Sequence, residues 1–101
     1  MNDTATGHAS LDEDAFRAGL LARGCRTIGI VEWEPGRVSP THTHEFTARG
    51  LILEGGFTLE TADGARTLTP GDVFELAAGV AHVERVGPRG ARILSGRLDA
   101  T

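Results

Sequence analysis

His42-Thr43-His44 places two imidazoles one residue apart, and His82 adds a third much further along the chain. Alternate residues of a β-strand point to the same face, so the first two rings can converge on one point. A strand carrying His82 would stand opposite them if the sheet closes on itself. Neutral imidazole is the commonest protein ligand for divalent transition metals. The chemistry these residue types suggest is therefore one bound divalent metal, with iron, zinc, nickel, manganese and copper all candidates. The remaining histidine, His8, lies in a polar N-terminal stretch and is given no role.

Other reactive patterns fail. His44-Glu45 opens like the H-E-x-x-H of zinc peptidases, but Ala48 stands where the second histidine should be. Ser39 and Ser95 lack the Gly-x-Ser-x-Gly setting of a nucleophilic serine. Cys25, between Arg23 and Arg26, could be an activated thiol, but free cysteine is among the most buried residue types and reads as a small core residue. All basic residues are arginine, which rules out Schiff-base chemistry and the lysine of a phosphate-binding P-loop. No catalytic residue is assigned.

The elements that must position the histidines are mostly short strands. The pattern Ser10-Leu11-Asp12-Glu13 predicts a capping box with Ser10 as N-cap. The apolar positions Ala15, Phe16, Leu20 and Leu21 then make one short helix ending at Gly24. Beyond it come strand candidates over Thr27–Trp33, Phe46–Leu53, Phe57–Thr61, Arg66–Thr69, Val73–Leu76, Ala81–Val86 and Ala91–Ser95. Turns are expected at Glu34-Pro35-Gly36, Gly55-Gly56, Asp63-Gly64, Pro70-Gly71-Asp72 and Gly87-Pro88-Arg89-Gly90. Six to eight short strands at this spacing indicate an all-β sandwich or barrel. Trp33, Phe46, Phe57 and Phe74 are expected to line its core or a cavity.

The chain has 101 residues, enough for one domain: residues 1–9 are expected to form a flexible tail and 10–101 a single barrel. Fourteen glycines, about twice the usual share of ~7%, fit a chain of many sharp turns. A net charge of −4 argues against a nucleic-acid partner, which needs a basic face. No apolar run approaches the ~18 residues of a membrane helix, and no secretory leader is legible, so a cytoplasmic protein is expected. One cysteine allows no internal disulfide.

Two glycine-framed motifs carry a family resemblance. Gly36-x5-His42-x-His44, followed by Leu53-Glu54-Gly55, resembles the first motif of the cupins. Gly71-Asp72, Ala77-x-Gly79 and His82 resemble the second. The resemblance implies an RmlC-like jelly-roll β-barrel, a small-molecule ligand or substrate, a homodimer, and a metal in the barrel mouth held by His42, His44 and His82. It also implies a motif-1 glutamate, but that position holds Ala48. The usual motif-2 proline is Ala77 and the usual late asparagine is Val86.

Three neutral ligands would leave the full 2+ charge on the metal and favour anionic chelating ligands. Dioxygenase, lyase and isomerase chemistry share such a centre. A non-catalytic sensor and a metal-free structural cupin are the alternatives. Glu84 shares the face of His82 and would serve as fourth ligand, general base or imidazole acceptor, or else emerge solvated at the rim. Glu45 reaches the site only through a bulge. Arg49 stands beside the vacant position, yet parity with His44 points it outward as a surface charge.

Overall fold

The computed structural model describes residues 12–99. It contains one helix, α1 (Glu13–Ala22), and five strands: β1 (Arg26–Trp33), β2 (Phe46–Thr61), β3 (Gly64–Leu68), β4 (Val73–Leu76) and β5 (Val83–Asp99). They form one antiparallel sheet in the order β1-β5-β2-β3, with β4 pairing β2, curled into a jelly-roll barrel. No helix among the described residues is long and apolar enough to cross a membrane.

The helix starts later than the capping box predicts. Asp12, not Ser10, is the N-cap: its side chain accepts from the N–H of Ala15 at 2.9 Å, while Ser10 lies outside the described residues. Glu13 is then the first helical residue and cannot reach back as a box partner. Glu13 and Asp14 instead place negative charge at the positive end of the helix dipole. At the other end Gly24, with φ +84°, closes a Schellman motif. Cys25 N–H donates to Leu20 C=O and Gly24 N–H to Leu21 C=O, both at 3.0 Å.

The number of strands also differs from expectation. Gly55-Gly56 and Gly87–Gly90 were expected to separate strands, but β2 and β5 each run through them. The glycines act as bulges rather than breaks. Pairing of β2 with β5 shifts register between Ile52 and Glu54 and again between Gly55 and Phe57. Gly55 has φ +67°, and a Cβ there would lie 2.0 Å from the Gly90 carbonyl oxygen. Only backbone fits at this crossing, and the bend lets each long strand serve both halves of the barrel. Thus β4 pairs the first half of β2 and β3 the second.

The consecutive apolar run Leu51-Ile52-Leu53 is explained by burial on both faces. Ile52 packs inward with Phe57, Leu68, Phe74, Val86 and Ile93. Leu51, Leu53 and Leu94 face outward, covered by Phe16 of α1, Ile28 and Val73. Full burial of such a side chain contributes about 1.5–3 kcal/mol. The helix end is also tied to β4, where Glu75 receives Arg23 at 2.6 Å and Arg49 at 3.2 Å. The Arg23 hydrogen bond holds the Glu75 carboxyl below the usual glutamate range. This contact therefore stabilises the fold above that range and is lost as pH falls through the lowered value.

Gly55→Ala tests the bend. It must place a side chain in left-handed backbone, costing at least ~1–2 kcal/mol, against a carbonyl that cannot retreat. Urea denaturation is expected to show a lower midpoint, corresponding to a loss of stability of that amount or more. An unchanged midpoint would contradict the crossing geometry.

Candidate metal centre

The segment after β1 builds the site. Residues 36–42 lie antiparallel along the start of β5 as an irregular extra strand. Gly36 N–H donates to Gly87 C=O at 3.2 Å, Val86 N–H to Arg37 C=O at 2.8 Å, and Ser39 N–H to Glu84 C=O at 3.0 Å. The Ser39 hydroxyl, itself buried, accepts from Glu84 N–H at 2.9 Å. At the end of this run His42 and His82 exchange both backbone hydrogen bonds, each 3.0 Å, so the two residues stand directly opposite. Gly79 N–H donates to His44 C=O at 2.9 Å and anchors the third histidine.

The three rings meet. Their centroids are 4.2 Å apart for His42 and His82, and 4.9 Å for His44 with each of the others. Glu84 joins them, so that one donor atom from each of His42, His44, His82 and Glu84 lies within 4.8 Å of every other. With metal–ligand bonds of roughly 2.0–2.2 Å, opposed donors stand about 4–4.4 Å apart. Small side-chain rotations would close this set on one ion.

Two of the rings are oriented by backbone. The Nδ1 of His42 lies 2.8 Å from the Pro40 carbonyl, and that of His82 lies 2.9 Å from the Val80 carbonyl. A carbonyl only accepts, so each Nδ1 must carry the proton and each Nε2 is left to face the cluster. His82 is 1% exposed and its Nε2 is a buried side-chain polar atom without a hydrogen-bond partner. That nitrogen lies 3.2 Å from a Glu84 oxygen, and the His42 Nε2 lies 3.8 Å from the same atom. Ring nitrogens and a carboxylate so placed are able to hold a cation between them. The donor set fits a divalent metal on that ground alone. Burial, followed by the neighbouring His82 and His42, holds His44 below the usual histidine pKa and keeps it in the neutral, ligating form.

Glu84 is 7% exposed, which overturns the solvated-rim alternative. Arg37 donates to its other oxygen at 3.3 Å, with the guanidinium 4.8 Å over the Trp33 ring. Sequence reasoning did not single out Arg37. Its only signal was its place directly after Gly36. Glu45 is exposed and outside the cluster, as strand parity requires. Arg49 turns outward to Glu75 and Phe16. Cys25 is buried and free. His8 lies outside the described residues.

Beside the cluster a cavity of about 190 Å³ opens into the barrel, lined by His44, Glu84, Ala48, Arg97 and an aromatic wall. All four expected aromatics, Trp33, Phe46, Phe57 and Phe74, line it. Trp33 and Phe57 meet edge to face at 5.1 Å, as do Phe57 and Phe74 at 5.5 Å. Ala48 contributes no ligand.

The model of the Cupin_2 family, described as a cupin domain, matches residues 29–96. The chain belongs to the cupin family. Among solved cupin-like structures, KdgF from a Halomonas species is 27% identical with a TM-score of 0.58, over 68% of this chain and 64% of that one. A cupin superfamily protein from Desulfitobacterium hafniense is 22% identical with a TM-score of 0.62, over 71% and 65%. Part of this cupin is also 39% identical, over 71 residues, to the GMP synthase [glutamine-hydrolyzing] of Hydrogenovibrio crunogenus. That stretch is 69% of this chain and 13% of that protein's length.

The ring orientation in this cupin can be read directly. Nitrogen-15 spectra of the metal-free protein are expected to show Nδ1 protonated in both His42 and His82. A protonated Nε2 with a bare Nδ1 in either ring would contradict the carbonyl contacts.

Proposed function

We propose that this cupin is a metal-dependent enzyme, holding one divalent transition metal on His42, His44, His82 and Glu84 and acting on a small oxygenated molecule bound in the adjoining cavity. The observation that carries the reading is the buried, unpartnered Nε2 of His82 aimed at a carboxylate 3.2 Å away. Leaving such an atom unsatisfied costs about 1–3 kcal/mol. The Pro40 and Val80 carbonyls hold two ligand nitrogens ready before any ion arrives.

Glu84 changes the electrostatics from the three-imidazole expectation. One carboxylate among the donors reduces the net charge of a divalent centre from 2+ to 1+. A metal so held supplies Lewis acidity, polarising a ligand oxygen and lowering the pKa of bound water. Arg37 draws the second Glu84 oxygen away from the cluster and fixes the carboxylate's orientation. The aromatic wall makes the far side of the cavity apolar, and an apolar wall strengthens the charge interactions beside it. Lyase, isomerase and dioxygenase chemistry all remain within this reading.

Metal analysis of untagged protein tests it. About one equivalent per chain is expected, lost in His82→Ala and bound at least ~10-fold more weakly in Glu84→Gln. Affinity should fall as pH drops through the histidine range, because protons compete for the same nitrogens. A wild-type chain that takes up no divalent metal would overturn the reading and leave a structural barrel. In the loaded protein, oxygen uptake with a β-diketone would select dioxygenase chemistry.

A further inference from the structure

Arg97 is the cavity's unexplained charge. It lies on β5, lines the cavity beside Ser95, and carries its guanidinium 4.4 Å over the Phe46 ring. The carboxylate two residues on, Asp99, is taken by Arg26 at 2.7 Å. Among the described residues Arg97 has no ion pair and no hydrogen bond. A guanidinium is always charged and presents a planar fork of donors suited to a carboxylate. Arg97 itself is exposed at the cavity's rim, and the aromatic walls beside it are apolar.

The register explains why the charge is free. Arg97 is the direct cross-strand partner of Ala48. Opposed residues on one face have Cβ atoms roughly 4.5–5.5 Å apart, so a carboxylate side chain at position 48 would meet the guanidinium. Alanine leaves that space open, and no carboxylate among the described residues pairs with the guanidinium. A charge at such a place is neutralised at little reorganisation cost by an anion that enters with the ligand.

We propose that the molecule bound in this cavity is a small carboxylate, and that Arg97 is the specificity-determining residue that grips it in the space Ala48 leaves open. The inference rests on the metal-centre reading for the ligand's other end, where a second oxygen would face His44 and Glu84. Size narrows the class further. A cavity of ~150 Å³ takes up benzene, so one of about 190 Å³ is large enough for a short-chain acid. The apolar wall fits an acid with an aliphatic or aromatic tail.

The test is calorimetric titration of the full zinc-loaded chain with 2-oxo-4-methylpentanoate and with its uncharged amide. The acid is expected to bind at least ~10-fold more tightly than the amide. Arg97→Gln should bring the two affinities together while zinc content stays at one per chain, and Arg97→Lys should keep part of the preference. Ala48→Glu, filling the slot from the protein side, should also abolish the preference. If that variant does not fold, Arg97→Gln on the open side of the cavity still decides. Equal binding of acid and amide by the wild type, no binding of either, or a preference that survives Arg97→Gln would overturn the proposal. Failure of the metal reading shows separately as absence of zinc. The same titration of the metal-free chain then still reports whether Arg97 selects the anion.

Discussion

Two mutual backbone hydrogen bonds between His42 and His82 hold the whole arrangement together. They join segments that are distant in sequence, and they do so at the last residue pair before the chain turns away. Every other feature of the centre depends on this pairing. It sets the two rings on one face, it puts Glu84 one strand period beyond His82, and it leaves both Nε2 atoms pointing into the same small volume. The Ser39–Glu84 and Arg37–Val86 hydrogen bonds extend the ladder and fix its register. A slip by one residue would turn every ligand to the outside.

The bent strands supply the setting. Because β2 and β5 cross the barrel without interruption, one continuous pair of strands contributes to the metal cluster, the cavity wall and the core under the helix. The bend at Gly55 leaves room only for backbone, so the curvature needs glycine there. The cavity is thus framed by elements that are themselves rigidly paired. Its charged groups, Glu84 and Arg97, are carried on the same strand, and Arg37 reaches in from the segment alongside.

The site was more legible than its frame. Three histidines at fixed spacing between motif glycines were enough to bring His42, His44 and His82 together on paper; parity put Glu84 on the face of His82 but left open whether it joined them or emerged at the rim. Parity also sent Glu45 and Arg49 outward. What sequence could not supply was register. That Ala48 faces Arg97 follows from pairing residues about fifty positions apart, which no local pattern encodes. The glycine pairs were misread for a related reason. A Gly-Gly step signals a departure from regular backbone, but whether it becomes a turn or a bulge is decided by the partner strand. At the helix start, Ser10 and Asp12 are both good caps, and local propensity does not rank two such neighbours.

The donor set and the cavity make a consistent electrostatic unit. In the proposed reading, a carboxylate and three imidazoles offer a place for a cation, and the Arg97 guanidinium offers one for an anion. X-ray absorption at the edge of a divalent metal loaded into the protein tests this most directly. The fine structure is expected to contain scattering from three imidazole rings and one carboxylate oxygen, and the bound-metal signal is expected to disappear in His82→Ala. A spectrum with fewer than two imidazoles, or one unchanged by that substitution, would place the ion elsewhere and contradict it.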